Sequence, residues 1–388
     1  MRVCGIIAEY DPFHLGHLYH LTQARERAQA AYVVAVIGCA FSQRGEAMLF
    51  DTHARAKMAL LGGADVVLGM PVSFSCAQAN RFARGGVCIL QGLGVVSHLS
   101  FGCELEAEPF LLPAAKVLYR PSARFSSVLK DGLQAGHAFA KAQGEALAAC
   151  LPDAPPALFS APNFILGLSY LLELKRLNSA ITPAPIPRSG DYHAQELSPL
   201  PSATAVRAAL RQGAWPGMAA SVPPGSLGII QEAAKKGHLH APDSLDALLM
   251  GTLLQGNEAR LMASPEMSEG LERRILAKAR QAASREELLR LVKTRRYTQA
   301  RISRAVSHSL LGLDSFPENP GYARLLGFRK GAEPLLTAIK GSGFPLIDRP
   351  GRQLNRDLAQ DMRAEELWAL GAGLPPASAW QKPMIILD

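Results

Sequence analysis

The chain has 388 residues, 48% of them hydrophobic and 19% charged, with 41 basic and 33 acidic side chains for a formal net charge of +8. That composition excludes a disordered or fibrous chain and leaves room for two domains of roughly 100–200 residues, each able to bury its own core. The basic excess suits a polyanionic partner but is modest for this length. The six cysteines form no C-x-x-C pair and sit mostly in apolar runs, so a disulfide framework is not expected and a reducing cytoplasm is the natural compartment. No apolar run reaches the roughly 18 residues of a membrane span, and Met1 leads directly into a strand pattern without a signal-peptide profile.

In chain order, apolar β-type runs at Val3–Ala8, Tyr32–Ile37, Val66–Met70, His98–Phe101 and Ile181–Pro187 alternate with helical periodicity. The helical stretches include Leu18–Gln29, Asp51–Leu61, Ala77–Leu90 and Phe164–Leu177. Continuous apolar strands separated by helices predict an α/β fold with a doubly wound parallel sheet, of the Rossmann-like type. The Ala- and Leu-rich segment from about 109 to 161 reads as a helical insertion. Pro, Gly and Ser gather near Pro216–Pro224, which sets an expected boundary between a domain over 1–220 and a mainly helical, basic domain over 221–388. Asp243–Leu254 and Glu269–Lys293 are the helices expected in that second part.

The run Glu9-Tyr10-Asp11-Pro12-Phe13-His14-Leu15-Gly16-His17 joins the first strand to the first helix. Pro12 keeps Asp11 out of helical geometry, so the chain turns sharply. Gly16 removes a side chain where a ligand or backbone must approach. The following helix offers unpaired N–H groups and the positive end of its dipole. His14 and His17 stand three apart and share a face. Two imidazoles there can stabilise charge on a pentacovalent phosphorus, which makes them the catalytic candidates. His14, His17 and His20 could instead hold a metal, but no Cys, Asp or Glu cluster accompanies them, and no metal site is expected. Near the end of the same domain, Ser202, Thr204 and Arg207 open a helix after Pro201. Paired with the histidine turn, this hydroxyl and arginine look like the part of a nucleotidyltransferase site that holds the β and γ phosphates of ATP. An ordinary capped helix is the plainer alternative.

These motifs resemble the nucleotidyltransferase superfamily with the HIGH signature. Gly5 through His20 looks like the opening of the bacterial tRNA(Met) cytidine acetate ligase family. Further blocks follow in order: Phe41-Ser42-Gln43-Arg44-Gly45-Glu46, Arg55-Ala56-Lys57-Met58-Ala59-Leu60, Phe101-Gly102-Cys103-Glu104, Pro162-Asn163-Phe164-Ile165-Leu166-Gly167, Arg295-Arg296-Tyr297-Thr298 with Arg301-Ile302, and Tyr322 through Phe328. The resemblance spans nearly the whole chain. It implies activation of acetate by ATP to acetyl-adenylate, then transfer of acetyl to N4 of the wobble cytidine in elongator tRNA(Met). It also implies ATP contacts from Ile7, Ala8, Glu9, Tyr10, Asp11, Pro12, Phe13, His14, Leu15, Gly16, His17, Leu18, Tyr19 and His20, and from Gly102, Asn163 and Arg188. Magnesium is the expected companion of the triphosphate. The family usually has Asn where this chain has Asp11 and Leu15, and an aspartate facing the triphosphate would repel it.

Arg44, Lys293, Arg295, Arg296, Tyr297, Arg301 and Arg304 form the expected RNA-binding set, most of it on one helical stretch with Tyr297 as a stacking face and Arg324, Arg329 and Lys330 nearby. Two other readings stay open: an adenylyltransferase acting on a small metabolite, and a tRNA-binding homologue without catalysis.

Overall fold

The computed structural model describes residues 1–188, 202–256, 258–351 and 354–388, with the backbone alone described for Arg188 and Arg260. The chain begins β1 (Val3–Ala8), α1 (Leu15–Arg27), β2 (Tyr32–Gly38), α2 (Thr52–Leu61), β3 (Val66–Met70), α3 (Val72–Ser75), α4 (Ala79–Gly92) and β4 (His98–Glu104). The insertion holds α5 (Glu108–Tyr119), α6 (Ala123–Gln134) and α7 (Phe139–Cys150), and α8 (Pro162–Arg176) leads back to β5 (Thr182–Arg188). Next come α9 (Ala203–Arg211), α10 (Trp215–Ala219), α11 (Pro224–Lys235), α12 (Asp246–Gln255), α13 (Glu258–Leu261), α14 (Leu271–Ala279), α15 (Arg285–Val292) and α16 (Gln299–Leu311). The chain closes with β6 (Ala323–Arg329), α17 (Glu333–Gly341), β7 (Leu346–Ile347), α18 (Arg356–Gly371) and β8 (Ile385–Leu387).

Five strands run parallel in the spatial order β5-β4-β1-β2-β3. The chain builds from β1 to one side through β2 and β3, then returns to build β4 and β5 on the other. The β1–β4 seam is therefore a topological switch point, where a crevice opens beyond the carboxyl ends of the strands. The strands are apolar throughout because both faces are covered. Val34 and Val36 of β2 face a core with Val3, Ile7, Leu99 and the inner side of α4 and α8. Val33, Ala35 and Ile37 face the opposite core with Cys4, Ile6 and residues of α1 and α2. Each valine, isoleucine or leucine among them contributes roughly 1.5–3 kcal/mol when fully buried.

The part after residue 221 is not helical alone. β6 pairs antiparallel with β3, and β7 and β8 pair parallel with β6, so the carboxyl-terminal residues extend the first sheet. Leu325, Leu326 and Phe328 meet both cores there, a short β pattern that the helical surroundings hide in the sequence. The helix expected over Glu269–Lys293 is two helices, α14 and α15. Ser284 caps the second by accepting the Glu287 amide at 3.2 Å, and a local cap of this kind ends the alternative of one continuous helix. Helices α12 to α16 enclose a separate core of residues such as Leu253, Ile275, Leu288, Ile302 and Val306. A bridging cluster of Phe41, Val72, Leu311 and Trp368 ties them to the sheet, and Trp368 Nε1 donates to the Met48 carbonyl at 2.6 Å. Among the described residues no helix is long and apolar enough to cross a membrane.

Candidate active site

β1 delivers the chain to the switch point, and the turn after it is held by backbone contacts. Tyr10 adopts φ +54°, a left-handed conformation that costs a bulky residue roughly 1–3 kcal/mol and persists only where packing imposes it. Its ring stands edge-on to Phe13 and to His17, each at 4.9 Å. His14 is the N-cap of α1: its Nδ1 accepts the Gly16 amide at 3.1 Å. His17 Nδ1 accepts the His14 amide at 3.4 Å, which completes a capping box made of two imidazoles. A ring nitrogen that accepts an N–H carries no proton, so in each neutral ring the proton sits on Nε2. The two rings stack with centroids 3.7 Å apart. The turn thus aligns two Nε2–H donors at the positive end of a 13-residue helix, an arrangement that suits phosphate oxygens.

A slot of about 180 Å³ lies over the β1–β4 seam. Ile7, Ala8, Glu9, Tyr10, Asp11, His14, Gly16, His17, His20, Gly102, Asn163, Ser202 and Arg207 all border it. Pro12, Phe13, Leu15, Leu18 and Tyr19 do not line it, because the turn and the outer face of α1 direct them elsewhere. Gly102 lies on β4, and Asn163 lies in the first turn of α8 with its amide donating to Glu104 Oε1 at 3.1 Å. The Arg188 side chain lies outside the described residues.

Asp11 departs from the expectation of an aspartate facing the triphosphate. Its carboxylate is buried and accepts the Leu49 amide at 2.8 Å and the Phe50 amide at 3.0 Å. The charge is met by two N–H groups, and the side chain fastens the 49–50 segment to the turn. Its carbonyl accepts Arg207 Nη1 at 2.7 Å. Ser202 Oγ accepts the Ala205 amide at 3.0 Å and so caps α9, while Thr204 Oγ1 lies 3.4 Å from Arg207 Nη2.

Two residues carry more than sequence reasoning gave them. Arg55, fully buried on α2, donates to the carbonyls of Glu9 (2.7 Å), Gly38 (2.7 Å), Cys39 (2.6 Å) and Phe50 (3.0 Å). It ties the carboxyl ends of β1 and β2 together. The signal was an arginine on the apolar face of Arg55-Ala56-Lys57-Met58-Ala59-Leu60. Glu9 is the second. Its Oε1 accepts the Gln43 amide at 2.7 Å, and no described donor reaches Oε2. Burial raises its carboxyl above the ordinary range, against the opposing pull of the Gln43 amide and of Arg207.

A second cavity, of about 600 Å³, opens beside the slot and shares Glu9, Asp11, Ser202, Ala203 and Arg207 with it. Its far wall comes from α12, α15 and α16, and Arg44 and Thr204 border it. It continues through Ser284, Glu286, Leu289 and Gln299 into a surface groove of about 470 Å³ that Arg290 and Lys293 flank. The helical wall is docked on the 43–45 turn. The Gly45 carbonyl accepts Arg285 Nη2 at 2.7 Å and Ser307 Oγ at 2.5 Å, and the Gln43 carbonyl accepts Arg304 Nη1 at 3.3 Å. Gly45 has φ +76°, and a Cβ there would stand 2.6 Å from the Arg304 amide nitrogen. Only glycine fits.

The expected RNA-binding set separates into two groups. Lys293, Arg295 and Arg296 are exposed, on the turn between α15 and α16 rather than within a helix, and Arg296 also reaches Glu269 Oε1 at 3.4 Å. Tyr297 is buried and its hydroxyl donates to the Glu269 carbonyl at 2.5 Å, so it offers no face to a base. Arg301 pairs with Glu269 at 3.2 Å, and Arg304 is buried against Glu266 at 2.7 Å. Arg324 is likewise buried, paired with Glu365 at 3.0 Å. Charge patterning alone does not reveal such partners, because they lie on other segments of the chain.

The HIGH Nucleotidyl Transferase family matches residues 1–379. The chain is 35% identical over 379 residues to a tRNA(Met) cytidine acetate ligase of Thermoanaerobacter sp. (strain X514), which covers 95% of this chain and 94% of that protein. It is 35% identical over 384 residues to the ligase of that name from Lysinibacillus sphaericus (strain C3-41), covering 95% and 94%. The fold is similar to the crystal structure of Thermotoga maritima TmcAL bound with alpha-thio ATP, with a TM-score of 0.90, 29% identity and full coverage of both chains.

Proposed function

The chain belongs to the tRNA(Met) cytidine acetate ligase family of HIGH nucleotidyl transferases, and from that premise we propose that it activates acetate with ATP and acetylates N4 of the wobble cytidine of elongator tRNA(Met). The observation that carries the reading is the pair of backbone-to-Nδ1 bonds that turns His14 and His17 into Nε2–H donors at a helix N-terminus. An acetate oxygen attacks the α-phosphorus in line, and the bond to pyrophosphate breaks. His14 and His17 hold the oxygens that gain charge, and Arg207, with Ser202 and Thr204, holds the outgoing phosphates. No side chain forms a covalent intermediate. Mg²⁺ would accompany ATP and neutralise part of the charge of its phosphates. Among the described residues no group of three His, Cys, Asp or Glu side chains forms a protein cage for it.

The acceptor cytidine enters from the larger cavity, and Lys293, Arg295, Arg296 and Arg44 meet the anticodon arm along the groove. Residues 1–220 supply the adenylation chemistry and the part after 221 supplies most of the RNA contacts, in the cytoplasm. An adenylyltransferase for a small metabolite has no use for three contiguous cavities that lead to a basic turn, which favours the tRNA reading. Incubation of the purified protein with ATP, acetate and elongator tRNA(Met), followed by nucleoside mass spectrometry, tests it. Acetylcytidine that requires both ATP and acetate is the expected product. Pyrophosphate release with no acetylcytidine would point to the small-metabolite reading.

A further inference from the structure

The ligase reading leaves one chemical need unmet: a group to take the proton from the cytidine amine. The N4 lone pair is delocalised into the ring, and the nitrogen becomes acidic only as it attacks the acetyl carbonyl carbon. A positioned base at that moment contributes roughly 10²–10⁴-fold. The candidates are few. His14 and His17 carry their ring protons on Nε2 and are donors, not bases. Asp11 borders both cavities, but both its oxygens accept backbone amides. Glu46, His240, Asp243, Asp246 and Glu286 border the larger cavity and not the slot, and His20 borders the slot and not the larger cavity, with Nε2 3.1 Å from Ser100 Oγ.

Glu9 borders both. Its Oε1 is fixed by the Gln43 amide at 2.7 Å, its backbone carbonyl is fixed by Arg55 Nη1 at 2.7 Å, and no described donor takes Oε2. Resting on the ligase reading, we propose that Glu9 is the general base of the acetyl-transfer step. The N4 lone pair forms a bond to the acetyl carbonyl carbon. The bond from that carbon to the phosphate oxygen breaks, and AMP leaves with its electron pair. One N4 proton passes to Glu9 Oε2 and from there to water. The wall position matters: the adenylate lies on one side of Glu9 and the acceptor on the other. Burial holds the carboxyl above the ordinary range, which brings its basicity nearer to that task.

Glu9→Gln tests this because the amide oxygen still accepts from Gln43. Each protein is given ATP and acetate with either elongator tRNA(Met) or hydroxylamine, a nucleophile strong enough to capture acetyl-adenylate without a base. The readout is the ratio of acetylcytidine to acetohydroxamate. We expect Glu9→Gln to lower that ratio by about 100-fold or more. A ratio that stays within a few fold of wild type overturns the assignment. So does loss of both products, which would place Glu9 in ATP or metal binding instead. A wild-type chain that yields no acetohydroxamate overturns the ligase reading itself.

Discussion

The turn from Glu9 to His20 and the helical stretch from Ser284 to Leu311 both carry concentrated polar side chains, but they use them in opposite ways. In the turn, the backbone holds the side chains: Nδ1 of His14 and of His17, Oε1 of Glu9 and both oxygens of Asp11 all accept amides. His14, His17 and Glu9 all border the slot. In the helical stretch the side chains hold the backbone instead. Arg285, Ser303, Arg304 and Ser307 spend their donors on carbonyls of residues 43–45 and on Glu266. The first region lines the slot, and the second docks the helices on the sheet, while its 293–296 turn stays exposed. A count of charges is not a count of available charges.

Substitutions break this comparison in order of size. Arg55→Met leaves four carbonyls, three of them in buried bonds, without this donor and lowers stability by about 3–5 kcal/mol, to be read by urea unfolding. His14→Asn keeps an acceptor for the Gly16 amide and so keeps the helix cap, yet removes the Nε2–H donor. Acetate-dependent pyrophosphate release should fall by roughly 10²–10³-fold with the melting temperature nearly unchanged. Gly45→Ala strains the docking turn and costs about 1–3 kcal/mol, with acetyl transfer to tRNA impaired more than acetate activation.

His308 tests docking through pH. It is buried, with Nε2 2.6 Å from the Cys76 carbonyl and Nδ1 2.7 Å from Ser264 Oγ, and burial lowers its pKa from 6.5 to about 4. Below pH 6.5 the unfolded chain takes a proton that the folded chain refuses, so stability is lost as pH falls from 6.5 through 4. The stability difference between wild type and His308→Gln should shrink across that window; a difference that stays constant would refute it. Lys293→Ala gives the smallest effect. It should flatten the salt dependence of tRNA binding by up to about one unit of slope, without a change in melting temperature.

The sheet was legible because β1 to β3 are apolar on both faces and each is followed by a clear helical pattern. The histidine turn was legible because its strand-to-helix placement is local. What escaped depends on distant segments. Asp11 reads in the sequence as a charge facing the triphosphate, but the Leu49 and Phe50 amides meet it in the fold. Tyr297, Arg296, Arg301 and Arg304 read as open to RNA in the sequence, but Glu266 and Glu269 lie against them in the fold. β6 was lost among helices because its partner, β3, lies more than 250 residues away in sequence. Arg55 and Glu9 sit in quoted motifs, but their significance comes from carbonyls and cavities that only the fold brings together.

If activation belongs to the sheet end and RNA capture to the 293–296 turn, the two steps can be separated by substitution. The direct measurement compares wild type with the Lys293→Ala/Arg295→Ala/Arg296→Ala triple variant, following acetohydroxamate with hydroxylamine and acetylcytidine with elongator tRNA(Met) in parallel. The predicted result is acetohydroxamate at the wild-type rate and a large loss of acetylcytidine that excess tRNA restores. Equal loss of both products, or undiminished acetylcytidine at low tRNA concentration, would contradict the account.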